Sequence, residues 1–261
     1  MRSLNIGATG MLAQQLNVEV ISNNIANMNT TGFKRHRAEF QDLLYQNLRR
    51  VGSASSDAGT IVPTGVQLGL GVKSAAIYRI SGQGNIQQTE NPLDLAINGR
   101  GFMMVELPNG ETAYTRAGSL QLSPDGDIVT ADGYVVQPGI TVPEDAVSIT
   151  VNESGEVYVD IDGQIAPTLV GQLELANFAN EAGLDAIGQN LLLETAASGA
   201  ATVATPGSAG FGLIIQGALE TSNVNVVSEI TNLITAQRAY EMNSKVIESS
   251  DEMMRTVTQL R

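Results

Sequence analysis

The stretch LNIGATGMLAQQLNVEVISNNIANM, from Leu4 to Met28, decides how the chain is organised. Its apolar and small residues advance by alternating steps of three and four, a seven-residue helical stripe that favours a coiled-coil seam. The stretch LITAQRAYEMNSKVIESSDEMMRTV, from Leu233 to Val257, repeats this spacing near the other end. We predict a helix at each terminus, with seam positions at Leu4, Met11, Val18, Ile21, Ile25, Leu233, Tyr240, Ile247 and Met254.

Polar residues predict where these helices begin and end. Asn225 is the expected amino-terminal cap of the second helix, because its side chain can accept a hydrogen bond from the first turn. Gly32 is the expected stop of the first helix. Gln14, Asn243 and Ser250 interrupt the two seams with polar groups.

Two arrangements are open for these helices. In the first, both pack on one core within the chain, as helices of globular proteins ordinarily do. In the second, they contact other helices. Gly7 and Gly10 favour the second, because each costs about 1 kcal/mol of helix propensity relative to Ala. With Ala8 and Ala13 they form a small-sided surface that suits close approach by another helix.

The segment between the helices is β in character. Short apolar runs alternate with six turn dipeptides, which are typical of hairpins: Asn98-Gly99, Asn109-Gly110, Asp125-Gly126, Asp132-Gly133, Ser154-Gly155 and Asp162-Gly163. The runs predict a meander and a separate hairpin, with strands at 102–107, 112–116, 120–122, 128–130, 134–136, 147–151 and 156–161. No βαβ alternation is present, which argues against a parallel nucleotide-binding sheet. The expected fold class is therefore α+β, with terminal helices and a central body of antiparallel hairpins.

We expect three regions along the chain. They are a terminal helical domain of 1–32 plus 224–261, a connecting region of 33–90 with an extended insert at 46–62, and a central β domain of 91–223. Two tracts rich in small residues, 46–62 and 195–210, are predicted to be a flexible linker and a long surface loop.

The composition removes most classes of catalytic chemistry. Cys is absent and His36 is the single His, so thiolate catalysis, Cys- or multi-His zinc sites and His-based triads lack their parts. We expect no enzyme activity, no catalytic residue, no metal and no cofactor. The formal net charge of -13 argues against nucleic acid as a partner. No apolar run approaches a signal-peptide core or a membrane span, so we expect no cleaved leader and no membrane insertion.

Several fragments imitate functional motifs. A phosphate-binding loop would need Gly where Val72 stands before Lys73, and Met104 interrupts the dinucleotide-like pattern after Gly99 and Gly101. The calcium-like pair Asp160 and Asp162 has the wrong ligand spacing. Solvated turns are the expected reading of the acid pairs Asp125 with Asp127 and Glu144 with Asp145. The basic cluster from Lys34 to Arg37 is expected to be a solvated or partner-facing turn, with an anionic surface as the alternative.

Three long motifs resemble the rod and hook axial proteins of the bacterial flagellum. They are NNIANMNTTGFKRHRAEFQDLLYQ from Asn23, INGRGFMMVELPNGETAYTRAGSLQLSPDGDIVTADGYVVQPGI from Ile97, and ETSNVNVVSEITNLITAQRAYEMNSKVI from Glu220. Within this family, the length of the chain and the insert at 46–62 indicate a subunit of the distal rod. A proximal-rod subunit is the nearest alternative, and a secreted β-rich binding module or a carboxylate hydrolase are alternatives of other classes.

The resemblance implies a tubular homopolymer that transmits torque from motor to hook. The terminal helices would form an inner coiled-coil layer around the export channel, which makes the nine seam residues candidate subunit contacts. The implied partners are further copies of the chain, the proximal rod proteins, the hook protein, the P-ring and L-ring proteins and the flagellar type III export apparatus. The implied location is the basal body, across the periplasm and the outer-membrane ring region.

Overall fold

A computed structural model describes residues 2–49, 64–164 and 166–259 of the chain. These residues form two compact units. The helical unit takes the described residues of Met1–Ile25, His36–Tyr78 and Val226–Arg261, and the β body takes those of Ala26–Arg35 and Arg79–Asn225. In chain order, two helices flank a body of antiparallel sheets, so the α+β class is confirmed.

The helical unit contains both predicted helices. Helix α1 spans Arg2–Ala26 and helix α2 spans Val226–Gln259. Because α2 begins directly after Asn225, the predicted start is confirmed. The predicted stop at Gly32 is wrong, since α1 ends at Ala26 and residues 27–32 form turns. Gly32 instead has a φ of +69°, which lets the backbone come close to Arg116 in the β body.

Four strands complete the helical unit. They are β1 (His36–Asp42), β2 (Tyr45–Arg49), β3 (Val66–Gly69) and β4 (Val72–Arg79). Strand β1 pairs with β4, and β2 pairs antiparallel with β3. The predicted linker is therefore a strand over Tyr45–Arg49, because Tyr45 to Arg49 find backbone partners in β3. The remainder of the linker and insert, 50–62, lies outside the described residues.

The β body holds sixteen strands among its described residues. These are β5 (Ile86–Gln88), β6 (Leu95–Asn98), β7 (Phe102–Glu106), β8 (Thr112–Thr115), β9 (Leu120–Leu122), β10 (Ile128–Thr130), β11 (Val135–Val136), β12 (Ala146–Val151), β13 (Glu156–Ile161), β14 (Thr168–Gln172), β15 (Leu175–Asn177), β16 (Asp185–Gly188), β17 (Leu191–Leu193), β18 (Thr202–Ala204), β19 (Leu213–Gln216) and β20 (Ala218–Glu220). A nine-stranded sheet runs β16-β17-β8-β7-β11-β10-β9, with β15 joining it at β7 and β18 at β15. The smaller sheets are β12-β13-β14, β6-β19 and β5-β20.

All the predicted strands are present in the β body, but the meander is not continuous. Strand β8 pairs with β17, and β11 returns to pair antiparallel with β7. All six predicted turn dipeptides place their Gly at positive φ: Gly99, Gly110, Gly126, Gly133, Gly155 and Gly163. Five of them close hairpins, whereas Asn98-Gly99 joins β6 to β7, which do not pair with each other, so that prediction is wrong. The predicted loop at 195–210 contains β18, which pairs with β15, so that expectation is wrong in part.

Strand β7 lies between two buried clusters. Met103 and Val105 belong to the main core, which continues through Leu95, Leu120 and Leu175. Phe102 and Met104 point to the other face, where they pack with Tyr114, Phe178 and Leu184. A strand that is covered on both faces has a continuous apolar sequence, which explains the run FMMV in place of an alternating pattern.

Candidate subunit interface

Two glycines of α1 lie directly against α2. A Cβ atom added to Gly7 would be 2.9 Å from Cγ1 of Ile247, and one added to Gly10 would be 2.8 Å from Nδ2 of Asn243. The helices therefore approach each other more closely than any larger side chain would allow. The small residues that favoured contact with another helix find that helix within the same chain.

The residues that repeat every seven positions along α2 lie on the face that α1 covers. Glu229, Ala236 and Ser250 are buried at separations that are multiples of seven, and Asn243 stands at the omitted step. Among the predicted seam residues, Leu233, Ile247 and Met254 are half-buried, while Tyr240 is 43% exposed. On α1, Ile21 is buried, and four seam residues are half-buried: Leu4, Met11, Val18 and Ile25. Their role between subunits stays a prediction.

A buried polar corner joins α1, β1 and α2. Asn24 donates from Nδ2 to the His36 carbonyl at 2.8 Å and accepts the His36 amide on Oδ1 at 2.8 Å. The same Nδ2 donates to Oε2 of Glu229 at 3.2 Å. Asn24 and Glu229 are each 1% exposed. Sequence reasoning missed both residues, although Glu229 stands four positions before Leu233 and continues the α2 stripe.

The turn between β3 and β4 packs on α1. Gly71 has a φ of +128°, and Oγ1 of Thr9 lies at the place a Cβ would take. The same hydroxyl accepts the Val72 amide at 3.4 Å. Lys73 follows in a strand, not at the start of a helix, so the glycines here serve close packing and do not form a phosphate-binding loop.

Helix α2 also carries apolar side chains that are exposed among the residues that the structure describes. Val227, Ile230 and Ile234 are exposed, Val227 at 76%. At 100° per residue they lie on the side of α2 away from Glu229, Ala236 and Asn243. Further exposed apolar side chains on the two helices are Leu12, Met242, Val246 and Met253. Exposed apolar side chains that are interspersed with charged ones along one side of a helix are typical of an interaction site.

The short ribbon formed by β2 and β3 is exposed as well. Leu44 is 83% exposed, and Tyr45, Leu48, Val66 and Leu68 are also exposed. An isolated two-stranded ribbon is marginally stable in water. The ribbon therefore offers a second apolar surface to a partner.

The acidic turns and the basic cluster have structural roles. Asp127 accepts the Thr141 hydroxyl at 2.6 Å, and Asp160 accepts the Ser148 hydroxyl at 2.6 Å. Lys34 is not solvated, since it forms a 2.6 Å ion pair with the buried Glu220. Among the described residues, no group of three acids or His lies close enough together to hold a metal ion. Neither helix, over its described length, has an apolar stretch long enough to span a membrane.

Three family descriptions match separate parts of the chain. Residues 4–34 match the flagella basal body rod protein family, and residues 215–260 match the flagellar basal body rod FlgEFG protein C-terminal family. Residues 96–159 match the flagellar hook protein FlgE/F/G D1 domain. The first two matches cover most of α1 and all of α2, and the third covers β7 and its neighbours.

Full-length relatives define the branch of the family. The flagellar basal-body rod protein FlgG of Caulobacter vibrioides is 64% identical over 261 residues, which is 100% of both chains. The chain belongs to the FlgG family of flagellar basal-body rod proteins. The FlgG protein of Bacillus subtilis is 40% identical over 267 residues, covering 100% of this chain and 99% of that protein. The flagellar hook-basal body complex protein FlhP of Bacillus subtilis is 30% identical over 273 residues, 100% of both.

Membership of the FlgG family gives the chain a structural role. It is a subunit of the flagellar distal rod, in the basal body, and its family is not enzymatic. As a rod subunit it assembles with other basal-body components. The candidate surfaces for this assembly are the exposed apolar residues of α1, α2 and the β2-β3 ribbon.

Proposed function

We propose that copies of this chain polymerise into a tubular drive shaft through the exposed face of α2, here defined as Val227, Ile230, Ile234, Met242, Val246 and Met253. The observation that carries the proposal is the exposure of this face while the opposite face is occupied by α1. A subunit with two apolar helix faces can satisfy one within itself and the other with its neighbour. A heterologous contact that does not close on itself generates a helical polymer.

In the proposed rod, the paired helices of neighbouring subunits form the inner layer around the export channel. The nine seam residues then act at two levels: they hold α1 to α2, and their half-exposed members, Tyr240 above all, contact the next copy. Torque from the motor passes along this layer to the hook. The partners we propose are the proximal rod proteins, the hook protein, the P-ring and L-ring proteins and the type III export apparatus that delivers the subunits.

The β2-β3 ribbon is a proposed second contact between subunits. Its apolar side chains are exposed on both strands, and it borders the insert that distinguishes the distal rod within the family. Contacts from the ribbon and insert to neighbouring copies would stiffen the rod against bending. This supports a distal-rod subunit over a proximal one.

The experiment that tests the polymer contact is the substitution Ile234→Glu. Ile247 is unsuitable, because its contact with Gly7 makes any charge there destabilise the helix pair of the monomer itself. Ile234 is 47% exposed, so the free monomer should lose no more than about 0.5 kcal/mol of unfolding free energy. In the polymer, the new carboxylate would be desolvated in every subunit, and rods should fail to form.

The matched control is Asn232→Asp, which adds the same charge at an exposed polar position of α2, on the opposite side of the helix from Ile234. We expect normal rods in electron micrographs of basal bodies from the Asn232→Asp strain and none from the Ile234→Glu strain. Normal rods and normal swimming with Ile234→Glu would show that this face is not a subunit contact.

A further inference from the structure

The chain passes between the helical unit and the β body four times, and every crossing lies on one of three segments of the β body. These connecting segments are 26–35, which leaves α1 and enters β1, 79–85, which leaves β4, and 220–225, which enters α2. Whatever load the helices and the β body exchange through the backbone must therefore pass through these segments.

One carboxylate binds two of the connecting segments and belongs to the third. Glu220, which is 1% exposed, accepts Nζ of Lys34 on Oε1 at 2.6 Å and the Gly84 amide on the same oxygen at 2.8 Å. Its other oxygen, Oε2, accepts Nε of Arg116 at 2.7 Å. The Glu220 carbonyl accepts the Gly32 amide at 2.8 Å. Segments 26–35 and 79–85 thus meet on the residue that opens the third segment.

Arg116 anchors this carboxylate to the sheets of the β body. Its guanidinium donates to the carbonyls of Gly101 at 3.2 Å, Ile97 at 3.2 Å and Gly99 at 2.9 Å. These carbonyls belong to β6 and to the turn that leads into β7. Four hydrogen bonds to charged groups and backbone therefore hold the guanidinium in one orientation.

Lys34 completes a buried group of two cations and one anion. Its side chain is 10% exposed, and its Nζ also donates to the Gly82 carbonyl at 3.0 Å. Burial and the nearby Arg116 lower the pKa of Lys34, while Glu220 works in the opposite direction. Burial disfavours the charged form of Glu220, yet Arg116, Lys34 and the Gly84 amide hold its pKa below the usual range.

Asn223 and tight packing reinforce the same junction. The Asn223 side chain accepts the Arg35 amide at 2.7 Å and donates to the carbonyls of Ile80 at 2.9 Å and Gly82 at 2.8 Å. A Cβ on Gly84 would overlap the Thr221 carbonyl. Segments 79–85 and 220–225 therefore leave no room for a side chain at Gly84.

We propose that Glu220 is the positioning residue of an ionic clamp, formed with Lys34 and Arg116, that fixes all three connecting segments to the β body. The mechanical use of the clamp rests on the proposed function: in a rod that carries torque, it would keep the connecting segments from acting as flexible linkers. Its existence in the monomer does not depend on polymerisation.

The test is hydrogen exchange of the full-length monomer, comparing wild type with Glu220→Gln. This change keeps the shape of the side chain but leaves Lys34 and Arg116 as unbalanced buried charges. The amides of Gly32, Arg35 and Thr221, which are bonded within the junction, should exchange about tenfold faster or more. The amides of β7 and β8 should exchange at the wild-type rate. Glu106→Gln, at an exposed position of β7, is the control for the loss of one acidic charge.

Two outcomes would overturn the clamp. One is unchanged exchange in the connecting segments, and the other is equal acceleration in β7 and β8, which would make Glu220 an ordinary stabilising residue. If Glu220→Gln does not fold, hydrogen exchange is measured on Lys34→Met instead. We then expect faster amide exchange in 26–35 and unchanged exchange in β7. The double variant Lys34→Met with Glu220→Gln should exchange more slowly in 220–225 than Glu220→Gln alone, because one unpaired cation is removed. Failure of these results with rods still forming would refute the clamp and leave the rod function standing.

Discussion

Gly7 and Gly10 lie on the same face of α1 but oppose different kinds of side chain. The Cβ of Gly7→Ala would press on Cγ1 of Ile247, in the middle of a branched side chain, whereas that of Gly10→Ala would meet the mobile amide of Asn243. Overpacking costs about 1 to 3 kcal/mol, and Ala returns about 1 kcal/mol of helix propensity. We expect Gly7→Ala to destabilise the helix pair by about 1 kcal/mol and Gly10→Ala to be neutral or stabilising. Urea unfolding followed by helical ellipticity measures both, and equal effects would contradict the described packing.

In the polar corner formed by α1, β1 and α2, substitution of Asn24 is expected to lower the unfolding free energy most. Removing its side chain takes from the His36 amide and carbonyl the hydrogen bonds they make to Asn24, in a partly buried place. Each unsatisfied buried group costs about 1 to 3 kcal/mol, so Asn24→Ala should lose about 2 to 4 kcal/mol of unfolding free energy. Asn5→Ala, at an exposed position of α1, is the control and should change little. A loss below 1 kcal/mol for Asn24→Ala would mean the corner is not formed as described.

Glu220 makes the stability of the β body depend on pH in a defined direction. Its pKa is lowered in the folded state, so its charged form contributes stability above the ordinary carboxyl range, and that contribution is lost as pH falls through the lowered pKa. The difference in unfolding free energy between wild type and Glu220→Gln should therefore be largest near neutral pH and shrink below about pH 4. Denaturant unfolding from pH 7 to pH 3 measures this difference. A difference that is constant with pH would show that the charge of Glu220 contributes nothing.

At the scale of elements, the sequence predicts local structure well because the causes are local. The turn dipeptides place Gly where φ is positive, and the strands at 120–122, 128–130 and 156–161 have the predicted bounds. The return of β11 to β7 was not predictable, because register is set by side chains that meet only in the folded sheet. Likewise, Asn24 bonds to Glu229 and Glu220 bonds to Lys34, and each pair is more than 180 positions apart in the chain. No spacing rule connects residues that far apart.

The heptad stripes show both the strength and the limit of pattern reasoning. The spacing gave the face of α2 that is buried, but it could not say whether the covering helix belongs to the same chain. The close approach of Gly7 to Ile247 answers this for one face. The exposed face of Val227, Ile230 and Ile234 was not predicted, because these residues fall between the seam positions.

Deletion of residues 46–62 tests the ribbon and insert as an element. The described part of this segment is exposed, so the rest of the monomer should keep its thermal stability. The assembled rod should lose subunit contacts and bend more easily. Electron micrographs of basal bodies measure rod curvature, and deletion rods as straight as those of wild type would contradict a stiffening role.

At the scale of the whole molecule, the net negative charge resides in the β body. Its sequence has 5 Lys and Arg against 18 Asp and Glu, whereas that of the helical unit has 9 against 9. Like charges on neighbouring β bodies oppose assembly, and salt screens them over about 10 Å at 0.1 M. The protein concentration needed for polymerisation should therefore fall as salt rises from 0.01 M to 0.2 M. Light scattering measures this, and an opposite trend would indicate that ion pairs between subunits dominate.

The most direct test of the central claim is the accessibility of the exposed α2 face before and after assembly. The natural chain has no Cys, so Ile234→Cys provides one thiol for maleimide labelling. We predict rapid labelling of the monomer. In isolated rods, labelling should be slower by tenfold or more, as is typical of a buried thiol. The labelling rate should recover when the rods are dissociated. Equal labelling rates in monomer and rod would contradict the claim that neighbouring copies cover this face.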